Sequence, residues 1–424
     1  MKALPLFNRI KNNERIRKLS YFTILSSLFL YIFSIPSFSG RAKWNLLSYF
    51  FMAALLFSVI FYTTFYKKWV FDRKLIIPSA FVLSALIGTT FYSHAFFGVS
   101  GKIGWSSLVL MLLTFFTFYF SFLAIENPRL ILKMLVVAFF LFAIYFAFHY
   151  RDKIIHLKLN SSRLGGYFDG INSIGFYFSV GFTIALYLAL LRRRKFELVY
   201  LIPAFTFLFL GLFTGSRAFI VCTIIGGLVT VFVRLRKHLL LFIIILITVV
   251  ALIFILIKIP QLSYLKDQID RAMYTLFGVG QSKVDTSTIQ RVLWPKYAFY
   301  LAGKNMIFGY GVGGFGDFSG IGTYAHNNFA EVICNFGIIG FILYYLSFAY
   351  PFLLSINKGK GKSVVTILFF IYIIRSFFGV TYYSKESYLV LALCFYLVKE
   401  YSINDLFFMR NNQSAKYNYC EVSI

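Results

Sequence analysis

The chain has 424 residues, 59% of them hydrophobic and only 13% charged, with a mean hydropathy of +0.77. A water-soluble fold of this length needs far more polar surface, so a soluble enzyme is excluded. The formal net charge of +27 raises nucleic acid as a partner, and the 55 Phe and 30 Tyr raise a membrane instead, where rings fill helix interfaces and settle at headgroup depth.

Apolar runs long enough to cross a bilayer follow one another along the chain. Spans are predicted at Leu19–Pro36, Asn45–Tyr66, Leu75–Phe97, Trp105–Glu126, Leu130–Phe148, Ser173–Leu191, Phe196–Thr214 and Ala218–Val233. Four more follow at Leu239–Ile257, Ala330–Leu354, Ser363–Val380 and the short Ser387–Tyr401. The fold class is therefore an all-α polytopic membrane protein of about a dozen helices. Residues 1–18 and 402–424 are tails, and 19–401 form a single transmembrane domain.

With the N-terminus in the cytoplasm, the inner connectors are Lys67–Lys74, Asn127–Arg129, Arg192–Lys195, Arg234–His238 and Asn357–Lys362. Together with both tails they hold most of the Lys and Arg, which is the positive-inside pattern. Topology thus accounts for the basic excess, and nucleic acid is not indicated. The first span follows the basic stretch Met1–Lys18 without a small-residue cleavage site and is expected to stay as an anchor. Cys222, Cys334, Cys394 and Cys420 show no metal or disulfide spacing.

Two outer loops are long, 149–172 and 259–328. The second far exceeds what joining two helices requires, and it has no polar low-complexity run. It is expected to be extracytoplasmic, folded and partly helical, with a short amphipathic helix at Arg291–Gly303 in spite of Pro295. Parity puts Arg163, Arg217, Arg291 and His326 on one side of the membrane.

Arg217 lies in a connector of a few residues between two apolar runs, and a guanidinium there is costly unless it pairs or faces a polar cavity. It is either an anion binder or a snorkelling anchor. His326 stands at the entrance of span ten with Asn327, Asn328 and Glu331 beside it. It is either a proton acceptor suited to neutral pH or a cap of that span, and Glu331 is the second choice as base. Arg375, inside span eleven, faces either the cavity or the interface. The run Gly309-Tyr-Gly-Val-Gly-Gly314 fits the dinucleotide fingerprint, but it lacks the strand–turn–helix setting that chemistry needs. A glycine-rich turn that lines a cavity or lets the chain double back fits better.

Four segments in order resemble a known family. Arg163-Leu-Gly-Gly-Tyr-Phe-Asp-Gly-Ile-Asn172 is similar to its Arg-x-x-Gly-Phe/Tyr-x-x-x-x-Asn segment, and Thr214-Gly-Ser-Arg-Ala218 to its Ser/Thr-Arg connector. Arg291-Val-Leu-Trp294, one residue shorter than the family's Arg-x-x-x-Trp, with Ile307-Phe-Gly-Tyr-Gly-Val-Gly-Gly-Phe315 resembles its Arg-x-x-x-Trp and Gly-x-Gly-x-x-x-Phe stretch. His326-Asn327 with Glu331 and Gly337-Ile-Ile-Gly340 resembles its His-Asn-x-x-x-Glu and Gly-x-x-Gly signature. Together they resemble the O-antigen ligase and O-antigen or capsule polymerase superfamily of bacterial membrane glycosyltransferases.

The resemblance implies glycosyl transfer at the periplasmic face of the bacterial inner membrane, from a glycan on undecaprenyl diphosphate to a glycan acceptor. No cofactor, metal or nucleotide sugar is implied, while flippase and chain-length regulator proteins are implied as partners. It assigns His326, Arg217 and Arg291 to catalysis. Arg163, Asn172, Ser216, Trp294, Asn327, Glu331 and Arg375 would contact substrate. Polymerase is the preferred reading and ligase the alternative. A flippase would instead show paired halves and short loops on both faces. If this topology is right, a cysteine introduced at Ser282 is labelled by an impermeant thiol reagent from the periplasmic side. Labelling only from the cytoplasmic side would overturn both the topology and the one-sided placement of the arginines.

Overall fold

The computed structural model describes residues 13–38, 42–66, 73–92, 104–155, 164, 168, 170–191, 195–235, 243, 247, 263–277, 286–357 and 364–399. Most of span nine, Arg163, Ser282, residues 1–12, the C-terminal tail with Cys420, and the histidines 94, 156 and 238 lie outside the described residues, as do parts of the basic connectors, while residues 14–18 of the N-terminal tail belong to the first helix.

Helices and their connections make up nearly everything described, and there is no strand among the described residues. The first group comprises α1 (Glu14–Phe38), α2 (Ala42–Tyr66), α3 (Ile76–Tyr92), α4 (Trp105–Ile125), α5 (Pro128–His149) and the short α6 (Arg151–Ile155). Next come α7 (Ile171–Ala189), α8 (Leu201–Thr214) and α9 (Arg217–Leu235). Residues 259–328 hold α10 (Ser263–Phe277), α11 (Thr286–Lys304) and α12 (Gly314–Phe318), after which α13 (Asn328–Asn357), α14 (Val364–Phe377) and α15 (Lys385–Lys399) follow. Among the described residues eight helices are long and apolar enough to cross a membrane, and α9 and α14 are shorter apolar helices. The protein is an all-α polytopic membrane protein. Helix α11 is longer than the sequence predicts and continues past Pro295, which removes the donor to the Arg291 carbonyl one turn back.

The apolar surplus goes to both faces of the bundle. Phe22, Leu46, Phe50 and Phe57 are each more than 60% exposed on α1 and α2, an apolar surface that water would not tolerate and lipid does. Inside, rings do the packing. Tyr31 stacks on Phe118 at 4.9 Å, and Phe115 and Phe122 of α4 meet Phe395 and Tyr396 of α15 at 5.7 and 5.8 Å.

Helix boundaries follow local chemistry. Glu126 closes α4 in the left-handed conformation at φ +54°, and the Asn127 side chain accepts the Leu130 N–H at 3.0 Å to open α5, with Pro128 at its first position. Arg129 then pairs with Glu197, tying the start of α5 to the segment that leads into α8.

One feature positions everything at the site end. Helix α13 breaks at Gly337 (φ +61°, ψ −168°), and the glycine-rich loop after α11 is threaded across the break. The Tyr310 N–H donates to the Cys334 carbonyl at 3.0 Å, the Gly311 N–H to the Asn335 carbonyl at 2.7 Å, and the Ile338 N–H to the Met306 carbonyl at 2.8 Å. A Cβ on Gly337 would lie 2.2 Å from the Ile307 carbonyl oxygen, so only glycine permits this crossing. The glycine-rich run therefore doubles back into the bundle. Gly337→Ala should destabilise the protein by about 2 kcal/mol or more, read as a lowered unfolding temperature in detergent. Gly303→Ala, whose added Cβ meets nothing within 4 Å in a helix, should be neutral or slightly stabilising. Equal behaviour of the two variants would remove the crossing from this role.

Candidate active site

Two connectors and two helix ends converge on the site. Gly215, left-handed at φ +61°, ends α8, and Ser216 opens α9 by accepting the Phe219 N–H at 3.3 Å. The Ser216 hydroxyl donates in turn to Asn172 Oδ1 at 3.1 Å, which fastens the connector to the first turn of α7. Arg217 is thus the first residue of α9 and is 2% exposed, with Nη2 donating to Thr288 Oγ1 of α11 at 2.7 Å. A guanidinium there faces the positive end of the α9 dipole and is removed from water. That setting is poor for a cation alone and favourable for an anion brought beside it. Its burial is not that of a snorkelling side chain.

Helix α11 carries Thr288, Arg291 and Trp294 at three-residue spacing, hence along one face. The opposite face exposes Ile289, Leu293, Tyr297 and Tyr300. Trp294 reaches His326, and the two rings stack at 5.1 Å and 11°. Tyr324 meets the same imidazole edge-on at 4.5 Å. His326 takes a left-handed backbone at φ +59°, a conformation costing of order 1–3 kcal/mol for a residue with a Cβ. Its Nδ1 is buried without a hydrogen-bond partner among the described residues. Burial first, then the charges of Arg291 and Arg217, push its pKa down to about 4. The imidazole is therefore neutral at neutral pH, and the two arginines are close enough to act on it.

The polar neighbours of His326 do other work. Asn327 caps α13 by accepting the Ala330 N–H at 3.1 Å, so His326 is not the cap. Asn328 accepts the Thr381 and Tyr382 N–H groups at 2.8 and 3.2 Å and donates to the Tyr345 hydroxyl, clamping the α14–α15 loop. Glu331 is 1% exposed, and both its oxygens are occupied, one by the Ala325 N–H at 2.6 Å and the other by Asn335 Nδ2 at 3.1 Å. The imidazole is held by Trp294 rather than by these groups.

Arg375 is 4% exposed at the end of α14, with its Cζ 6.0 Å from the Phe176 ring centroid. It too is buried rather than snorkelling. The structure thus brings Arg217, Arg291, Trp294 and His326 together, with Asn172 and Ser216 one connector away and Glu331 behind the loop. Sequence reasoning passed over Thr288, Tyr324 and Asn335. Asn335, fully buried in an apolar helix, was the most legible of these, because a polar side chain at that depth needs partners. It accepts the Phe315 N–H at 2.7 Å and donates to Glu331 and the Tyr382 hydroxyl.

Residues 202–345 match the family model described as O-antigen ligase. The matched stretch contains Arg217, Arg291, Trp294, His326, Asn327 and Glu331, and leaves Arg163, Asn172 and Arg375 outside it. A comparison with curated proteins gives no match. The match supports the resemblance of residues 202–345 to the O-antigen ligase and polymerase superfamily.

Proposed function

We propose that this multi-span protein is a polysaccharide polymerase of the bacterial inner membrane, with both termini cytoplasmic and residues 259–328 in the periplasm. It transfers a glycan from undecaprenyl diphosphate to a lipid-linked repeat unit. The observation that carries this reading is that one face of α11 meets Arg217 through Thr288 and stacks Trp294 on His326, with Arg291 between them in sequence on that face. A diphosphate leaving group needs fixed positive charge, and guanidinium forks contact phosphate oxygens two at a time. Arg217 and Arg291 hold the diphosphate, and Arg163 joins them. The bond between the anomeric carbon and the diphosphate oxygen breaks, and the electron pair leaves on the diphosphate, where the arginines meet the developing charge. The acceptor hydroxyl oxygen bonds to the anomeric carbon as its proton passes to His326. Asn172, Ser216, Trp294 and Arg375 shape the substrate cavity around these three, while Asn327 and Glu331 act indirectly by holding the segment that carries His326. Transfer of the finished glycan to a lipid A core is the second reading, favoured by the description of the matching family model, O-antigen ligase.

Lysine in place of Arg217 keeps the charge and loses the fork. Arg217→Lys should lower turnover of purified protein on lipid-linked donor by about 100-fold or more while inserting normally. Near-normal chain extension by this variant would reduce Arg217 to an anchor. His326→Ala should lose about 10²–10⁴-fold in turnover with donor binding retained, and robust turnover by His326→Asn would remove the base assignment.

The pH profile gives an independent check. His326 accepts a proton only when neutral, and its depressed pKa of about 4 keeps it neutral above that value in the free protein. The acid limb of kcat/KM, which reports the free protein, should therefore fall near pH 4 rather than near the ordinary imidazole value. Bound diphosphate offsets the arginine charges, so the limb of kcat should lie at higher pH. Coincident limbs at the ordinary histidine value would contradict this electrostatic arrangement.

A further inference from the structure

Helix α11 and the turn that follows it carry a large apolar surface away from the Arg217–Arg291–His326 cluster. Ile289, Leu293, Tyr297 and Tyr300 are exposed along one side of α11, opposite the side that carries Arg291 and Trp294. Past the helix end, Met306, Ile307 and Phe308 are 60%, 56% and 37% exposed in succession. A continuous apolar patch of this kind marks a surface that meets something other than water. Lys296 and Lys304 are exposed on the same side of α11, and the Lys304 ammonium lies 4.6 Å from the Tyr300 ring centroid. The helix contains no acidic residue.

The backbone fixes the depth of this surface. The Ile338 and Ile339 N–H groups donate to the Met306 and Ile307 carbonyls at 2.8 and 3.5 Å, so the turn is bonded to α13 just past its break. Residues 338–357 of α13 rise about 30 Å, the thickness of a hydrocarbon core. The part of α13 before the break carries the buried polar side chains Asn328, Glu331 and Asn335. The break therefore marks the edge of the hydrocarbon on the side of the site, and the turn lies at that edge. Helix α3 gives the same level independently. The Phe308 carbonyl oxygen lies 2.8 Å from where a Cβ on Gly88 would stand, one turn before α3 ends at Tyr92. Past the break α13 exposes Ile339, Ile342 and Leu346 within a membrane span. The exposed side of the turn thus continues into a lipid-facing surface.

We propose that the exposed side of α11 and the Met306–Phe308 turn are seated in the bilayer. Acyl chains lie against the apolar residues, and anionic phospholipid headgroups lie at Lys296 and Lys304. Tyrosine and lysine suit this depth, because a phenol and an ammonium each reach the headgroups from an apolar body. Arg291 stands on the other side of the same helix, so the seat holds this residue near headgroup height. Under the glycosyl-transfer reading, a diphosphate still attached to its membrane lipid then meets the clamp without being lifted out of the bilayer.

The test places a nitroxide on single cysteines in the full chain, reconstituted in nanodiscs of phosphatidylethanolamine and phosphatidylglycerol. Cys222, Cys334 and Cys394 are buried, and Cys420→Ser removes the fourth native thiol. Collisions of each label with oxygen, which concentrates in lipid, are compared with collisions with a nickel chelate, which stays in water. Labels at Leu293→Cys, Tyr300→Cys and Met306→Cys should favour oxygen severalfold more than a label at Asp152→Cys, whose native side chain is 86% exposed. They should approach the ratio of a label at Phe57→Cys, an exposed position on the α2 span. Lys296→Glu combined with Lys304→Glu should shift the Tyr300 label toward the aqueous ratio in these discs, and less so in discs of phosphatidylcholine alone. An aqueous ratio at any of the three positions would overturn the seat. So would access to neither reagent, which would show protein covering this side of α11. An unshifted Tyr300 label in the double variant would overturn the anionic headgroups at the two lysines. No donor enters the measurement, so each of these failures leaves the glycosyl-transfer reading standing.

Discussion

The backbone crossing at Gly309 and Gly337 is the constraint on which the rest of the site depends. A break in an apolar helix strands carbonyl and amide groups at a depth where no water is available to satisfy them. Here the loop that follows α11 supplies the partners, donating from Tyr310 and Gly311 and accepting at Met306. The close approach needs glycine on both strands, since a Cβ on Gly309 would sit 2.5 Å from the Asn335 carbonyl carbon and the Gly337 nitrogen. Because α11 runs directly into this loop, Arg291 and Trp294 are fixed relative to the start of α13. Asn335 then joins the same frame to the α14–α15 loop through the Tyr382 hydroxyl. Three segments distant in sequence share one rigid reference, and the imidazole stands where they meet.

Within that frame the electrostatics look contradictory until an anion is considered. Cations beside an imidazole, together with burial, hold it neutral and lower its basicity. A base with a pKa of about 4 is a weak acceptor for a hydroxyl proton. In the proposed reaction an arriving diphosphate would cancel the arginine charge and restore basicity only when donor is bound. The same two arginines would thus hold the leaving group and gate the base, so that proton abstraction is favoured only in the presence of the bond to be broken.

How much of this was legible differs from residue to residue. The helices were, because spans of roughly twenty apolar residues are a composition signal that survives without any tertiary information. The Thr214–Arg217 connector was also legible, since a glycine and a serine between apolar runs encode a stop and a start. Rejecting the dinucleotide reading of Gly309–Gly314 needed only its setting, yet where the loop goes was invisible. Its partner is a helix break at Gly337, and the spacing of Gly337 and Gly340 inside an apolar run carries no sign of such a break. The role expected of Asn328 and Glu331 beside His326 was suggested by adjacency in sequence, and the fold spends both on the loops instead. Side chains next to one another at a helix entrance point in different directions, and only the φ of +59° at His326 turns its ring toward α11.

That turn explains why an aromatic ring rather than a carboxylate holds the imidazole. A carboxylate partner would orient the ring, but it would also add negative charge within reach of the incoming diphosphate and raise the histidine pKa. Stacking on Trp294 fixes the plane of the ring without adding charge. It also sets a distance. Arg291 and Trp294 are three residues apart on one helix, a rise of about 4.5 Å, so the arginine and the surface that holds the base are spaced by helix geometry. A shift of α11 along its axis would move both together and leave their separation unchanged. The quantity that remains sensitive is the approach of α11 to the α8–α9 connector, where Thr288 accepts a hydrogen bond of 2.7 Å from Arg217. With the two arginines on separate elements and the proposed base on a third, an anion that bridges the arginines would draw those elements together.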